Sequence, residues 1–178
     1  MSLNYLAVFM FLLFLVPVQA LSVVIHEVGH FALFRMQRVT PMWATIGIGA
    51  FWFKFRYKGS WINVHKIPLV GEVVVAPGHI KRMGLWGSIL MLLAGPVLHG
   101  SFGTALYFLG NFTGSETAFG TSLDWLGTFV IIQAAYQFLP VRTTRTRNGQ
   151  TFEIRSDGFQ IRNYWRRRAQ FAIKNENW

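Results

Sequence analysis

The sequence has no cysteine, few charges, and one long stretch without a single Lys or Arg. Without cysteine there is no disulfide framework, no thiol nucleophile and no thiolate metal site. Charged residues make up 13% of the chain, about half the share of a soluble domain. Between Met83 and Val141 there is no Lys or Arg, and only Glu116 and Asp124 are charged. Before Arg35 the only charged side chain is Glu27. These gaps exclude an ordinary soluble domain and a charge-rich disordered chain. In their place are apolar residues, 52% of the chain, including 17 Phe and 7 Trp. Gly is also frequent at 17, as suits closely packed membrane helices. A length of 178 residues fits one domain, spanning 1–178.

The net charge of +10 raises the question of nucleic acid. Its distribution answers in favour of a bilayer. All 17 Lys and Arg fall in two blocks, Arg35 to Arg82 and Arg142 to Lys174. Basic blocks alternating with long uncharged runs belong to a membrane protein with its basic loops on one side. A nucleic-acid-binding reading would need the Arg-rich tail to bind alone, with steep salt dependence, and no nucleic-acid partner is expected.

The apolar run from Tyr5 to Phe34 exceeds the roughly 20 residues that cross the hydrocarbon core, so residues 4–35 read as a first, tilted span. Pro17 is a point where it can kink. A signal peptide is the competing reading, weakened by the lack of a basic start and by apolar sequence continuing past Ala20. Residues 41–77 are rich in aromatic and β-branched residues, with a Lys58-Gly59-Ser60 turn, and predict a small sheet. A plain interfacial aromatic loop is the alternative. A second span is expected over 83–110, where Gly84 and Ser88, and Gly100 and Thr104, have the spacing of close helix contacts. A weaker third span over 122–140 carries Gln133 and Gln137 on one face. In the basic tail, 141–178, Thr144–Arg147 and Gln150–Ile154 flank Asn148-Gly149 as a hairpin. An amphipathic helix follows Asp157, with Ile161, Tyr164, Trp165, Ala169 and Ala172 opposite Arg162, Arg166 and Arg167. The expected fold is therefore a mainly α membrane protein: about three transmembrane helices, a small membrane-associated β-sheet and a cytosolic amphipathic helix. The basic blocks place it in the cell membrane as a multi-pass protein, N-terminus outside, sheet and tail cytosolic.

The chemistry is concentrated in His26-Glu27-Val28-Gly29-His30. On a helix, positions i and i+4 share a face, so two imidazoles can grip one metal ion while Glu27 takes a proton from water. Such a pattern arises by chance in roughly one chain of this length in a few hundred. Its place inside a span sharpens it, because ionisable groups there cost about 2.5–3.5 kcal/mol each and usually mark function. With the membrane boundary near Arg35, His30 lies about 7 Å inside and His26 about 13 Å. The competing reading, two histidines bonding neighbouring helices, accounts for neither Glu27 nor the spacing. A third ligand is needed, and Asp157, Glu72, His65, His79 and His99 are all candidates on the cytosolic side. Asp157 is the best placed of them, although it also reads as a helix N-cap.

The chain resembles the site-2 protease family of intramembrane zinc metalloproteases. His26–His30 matches its zinc motif, Ile67-Pro68-Leu69-Val70-Gly71-Glu72-Val73 its Pro-Leu-Gly-Gly stretch, and Ala94–His99 its Gly-Pro-x-x-Asn motif. Gln137-Phe138-Leu139-Pro140, then Ser156-Asp157-Gly158, resemble its Asn-x-x-Pro and Asp-Gly motif. The resemblance implies one Zn2+ held by His26, His30 and Asp157, with Glu27 as general base. It implies membrane-spanning protein substrates cut near the cytosolic side. His99 and Gln137 stand where the family has Asn residues that contact substrate. His99 is then either an oxyanion donor or a packing residue beside Pro96, and Gln137 keeps the amide. The gap from Pro140 to Asp157 is longer than in the family, and the hairpin would return its ends side by side. Expected partners are the bilayer, a transmembrane protein substrate, and a regulatory protein or a second copy. The rival to the peptidase is a non-catalytic scaffold or chaperone of the same fold.

Overall fold

The computed structural model describes residues 3–147, 150–163 and 165–166 of the chain. Helix α1 spans Leu3–Met36 and is unbroken at Pro17. Strands β1 (Trp43–Tyr57) and β2 (Ser60–Val74) form an antiparallel hairpin that turns at Lys58-Gly59. Helices α2 (Pro77–Thr113) and α3 (Ala118–Phe138) follow. A second antiparallel hairpin pairs β3 (Arg142–Arg147) with β4 (Gln150–Arg155), and a helix begins at residue 157. The expected Asn148-Gly149 turn, Tyr164 and the helix beyond residue 166 lie outside the described residues.

Two described helices, Asn4–Met36 and Met83–Thr113, are long and apolar enough to cross a membrane. Much of their apolar surface faces outward: Phe9, Leu12, Leu13 and Val16 of α1 are each more than half exposed. In water such a surface would drive aggregation, whereas lipid tails are its natural solvent. The interior is correspondingly small. Phe34, Val39, Val75, Met91 and Leu92 form one apolar cluster where α1, the first hairpin and α2 meet.

Glycines set how closely α2 and α3 approach: Gly100 faces the Ala134 side chain, as the spacing suggested, and the tightest contacts fall at other glycines. A Cβ at Gly103 or Gly127 would overlap backbone atoms of the facing helix, and one at Gly110 would overlap Gly120 and Asp124. Gly84 has a different task. Its φ of 67° is open to glycine and strained for other residues, and it breaks the direction of α2. A side chain there would meet no described atom, so Gly84 makes no close helix contact; buried Ser88 donates its hydroxyl to the Gly84 carbonyl.

The first hairpin is folded back on itself. Trp43–Ile46 lies between two stretches of β2, Trp61–Val64 on one side and Gly71–Val74 on the other. Gly71–Val74 is thereby carried to the flank of α1, with one backbone edge left toward the interior cavity.

Candidate metal centre

α1 presents Gln19, His26 and His30 along one helical face, because steps of seven and four residues return to nearly the same angle. α2 runs antiparallel to α1 at this level. Gly29 packs on the Ala94 carbonyl, and Gly95 faces both imidazoles. A Cβ at Gly95 would collide with His30 and His26, so glycine is what allows α2 to close over the rings. The strand does the same to the acid. A Cβ at Gly71 would collide with the Glu27 side chain, so β2 lies directly against that carboxyl group.

Asp157 comes from the far end of the chain. Its approach is arranged at the base of the second hairpin, where Arg142 pairs with Arg155. Ser156 binds the two strand ends together: its N–H donates to the Val141 carbonyl at 3.1 Å, and its hydroxyl accepts from the Val141 N–H at 3.0 Å. The same hydroxyl accepts from the Phe159 N–H at 3.2 Å and so caps the helix that begins at residue 157. Gly158 then tucks against the Phe138 carbonyl at the end of α3. The hairpin therefore leaves the main path and returns to it, as the sequence suggested.

Three ligand atoms converge. His26 Nε2 and His30 Nε2 are 3.1 Å apart, and Asp157 Oδ2 is 3.4 Å from the first and 3.5 Å from the second. A tetrahedral zinc with bonds of about 2.0–2.2 Å has ligand–ligand edges of about 3.3–3.5 Å, so the triangle is close to one face of that tetrahedron. Tautomers agree. His30 Nδ1 lies 2.7 Å from the Met91 carbonyl, which only accepts, so in the neutral ring Nδ1 carries the proton and Nε2 the lone pair. A lone pair and a carboxylate aimed at one point repel unless a cation lies between them. All three residues, and Glu27, are at most 9% exposed. In the metal-free protein a proton on the facing imidazole nitrogens takes the cation's place: burial pushes the Asp157 carboxyl up, but hydrogen bonding from His26 and His30 in that protonated form outweighs it and holds it below its ordinary range.

Among the described residues, His26, His30 and Asp157 are the group able to hold a metal ion. Glu27 lines the same cavity, and its Oε2 is buried without a hydrogen-bond partner among the described residues. The other candidates are elsewhere. His65 Nδ1 lies 2.8 Å from the Gly49 carbonyl within the first hairpin, and Glu72 is exposed on the cavity wall. The side chain of His79 lies outside the described residues. His99 is buried with its ring centroid 5.6 Å from that of His26, and neither of its nitrogens has a hydrogen-bond partner among the described residues. Gln137 lines the same cavity, of about 830 Å³. Sequence reasoning missed the Met91 carbonyl, Ser156, and the packing of Gly71 and Gly95. A backbone acceptor leaves no mark in a sequence, whereas Ser156 directly before Asp157 is a visible capping signal.

No curated protein matches the chain. The model of peptidase family M50 matches it over residues 10–171, from within α1 to beyond the Asp-Gly turn. That match takes in both histidines, the acid between them and the distant aspartate, and with it the chain belongs to peptidase family M50, the site-2 protease family of metalloproteases.

Proposed function

We propose that this protein is a zinc-dependent intramembrane endopeptidase that cuts membrane-spanning proteins near the cytosolic side of the bilayer. The observation that carries the reading is the triangle of His26, His30 and Asp157 beside Glu27, whose buried Oε2 has no hydrogen-bond partner among the described residues. His26 and His30 through Nε2, and Asp157 through Oδ2, would hold the ion. When bound, zinc supplies Lewis acidity, which makes water easier to deprotonate and a peptide carbonyl easier to attack.

The remaining work falls to the protein. Glu27 takes the proton from the attacking water and passes it to the leaving amide nitrogen, a role worth about 100- to 10,000-fold in other enzymes. The free edge of Gly71–Val74 beside Glu27 suits an extended substrate added as a further strand. Unwinding is needed because a helical substrate hides its carbonyls in its own hydrogen bonds. His99 and Gln137, on the cavity wall, can hydrogen-bond the substrate near the cut. In this reading α3 is a third span beside the two longer helices, the N-terminus lies outside, and the sheet and basic tail face the cytosol. A regulatory protein or a second copy would supply control. The scaffold alternative gains nothing from the site, since a buried carboxylate against β2 has no use there.

Glu27→Gln tests the reading. The variant keeps one equivalent of zinc by elemental analysis and loses cleavage by about 100-fold or more. Full activity in that variant would end the proposal.

A further inference from the structure

The cavity does not stop at the metal ligands. Helix contacts fix its direction: Gly29 meets Ala94, His26 faces His99, and Gly100 packs on Ala134, so α2 is antiparallel to both α1 and α3. Both being antiparallel to α2, α1 and α3 run the same way, and Phe11 and Phe14 of α1 meet Trp125 and Phe119 in the first part of α3. Moving from His30 toward the N-terminal end of α1, the wall is made by His26, then His99 and Gln133, then Gln19.

The polar atoms along this wall are unsatisfied. Gln19 Oε1, Gln133 Oε1 and both ring nitrogens of His99 are buried without a hydrogen-bond partner among the described residues. They come from three different helices and line one cavity. Polar groups this deep are costly unless something bonds them. Two amide oxygens seek N–H donors, and a neutral imidazole offers one N–H and seeks another. A polypeptide backbone freed from its helix supplies both kinds of group at short, regular intervals.

We infer that Gln19 and Gln133 form a subsite that binds the unwound backbone of a membrane-spanning substrate on the side of the cut facing the N-terminal half of α1. The inference rests on the peptidase reading and extends it by two binding residues. Gln19 is seven residues before His26, about 10 Å along the helix. Extended chain covers that length in about three residues. The subsite therefore meets the substrate about three positions from the scissile bond, and it favours sequences that unwind readily there.

The probe is a Lys-flanked Leu-Ala peptide of about 24 residues with a central Asn-Gly pair, long enough to span a bilayer. Two readouts are taken on the full zinc-loaded chain in vesicles. In the first, Gln19→Met and Gln133→Met, which keep length but remove the acceptor, raise KM for this peptide about 3- to 10-fold with kcat within about twofold, the loss expected for one hydrogen bond. Trimming the peptide to within about two residues of the cut on the subsite side removes the difference between variants and wild type. In the second, Gln133→Cys in the Glu27→Gln background is oxidised with peptides bearing one cysteine. The protein has none of its own, so any cross-link reports position 133. Cross-links confined to peptide positions about two to four from the centre, on one side, support the subsite. Cleavage with unchanged KM and no cross-link would overturn it and leave the cavity holding only water. Cross-links without wild-type cleavage would keep the subsite and sink the peptidase reading. Neither cleavage nor cross-link would sink both.

Discussion

The Nδ1–H of His30 donates to the Met91 carbonyl at 2.7 Å, and this bond decides which ring nitrogen turns toward His26 and Asp157. It ties the metal-binding face of α1 to the backbone of α2. Because the acceptor is backbone, the Met91 side chain is dispensable to it. Met91→Leu, a volume-conserving change costing under about 1.5 kcal/mol, is expected to keep a full equivalent of zinc. His30→Phe is expected to lose it. Elemental analysis of both purified variants measures the difference.

Asp157 closes the ligand set from a distant part of the chain. Asp157→Ala should lower zinc affinity by at least about 100-fold, read by competition with a chromogenic chelator. Replacing residues 143–154 with a two-residue turn should leave affinity within about threefold, since the Arg142–Arg155 base and the Ser156 bonds remain. Loss of zinc from the shortened protein would show that the hairpin itself builds the site.

One glycine lies against the two imidazoles and another against the acid. Gly95→Ala drives a methyl group into both imidazoles and should release zinc, with overpacking costing about 1–3 kcal/mol of stability. Gly71→Ala presses on Glu27 alone, and should spare zinc while cutting turnover. Equal zinc loss in both variants would contradict this division of labour.

Ser156→Ala removes a helix cap and the link between the strand ends together. The change should cost about 0.5–2 kcal/mol and weaken zinc binding, with Ser156→Thr restoring most of both. Chelator competition and thermal unfolding in detergent read the two effects.

Acid provides another test. In the metal-free protein the Asp157 carboxyl is held below its ordinary value by its hydrogen bonds to His26 and His30, which outweigh burial. A carboxyl depressed in the folded state contributes stability above its unfolded pKa and loses it as pH falls through the lower, folded value. Thermal unfolding between pH 6 and pH 3, about the carboxylate range, should therefore fall more steeply for wild type than for Asp157→Asn.

Much of the fold was legible because lipid and helix geometry write themselves plainly into sequence. The uncharged run from Met83 onward became α2, the alternation around Phe51–Tyr57 became β1, and the stretches on either side of residues 148–149 became β3 and β4. The i, i+4 histidines met as their spacing requires. What stayed hidden depended on pairing in space. Gly84 had the spacing of a helix contact but makes a break, whereas Gly103 and Gly127, seen only once α2 and α3 are paired, carry the close packing. The doubling of β2 around Trp43–Ile46 was equally out of reach, since a local pattern does not say which neighbour a strand will choose. Gln133 was visible as a polar residue on a span, but that its oxygen has no partner is a fact of the packed bundle.

The distance along the chain between His30 and Asp157 has a consequence for biosynthesis. The two histidines are synthesised well ahead of the aspartate, which emerges only after α2, α3 and the tail hairpin. A nascent chain thus carries an incomplete and weakly binding pair of imidazoles through insertion. On the peptidase reading proposed above, the ligand set is complete only once the segment bearing Asp157 has docked against α1.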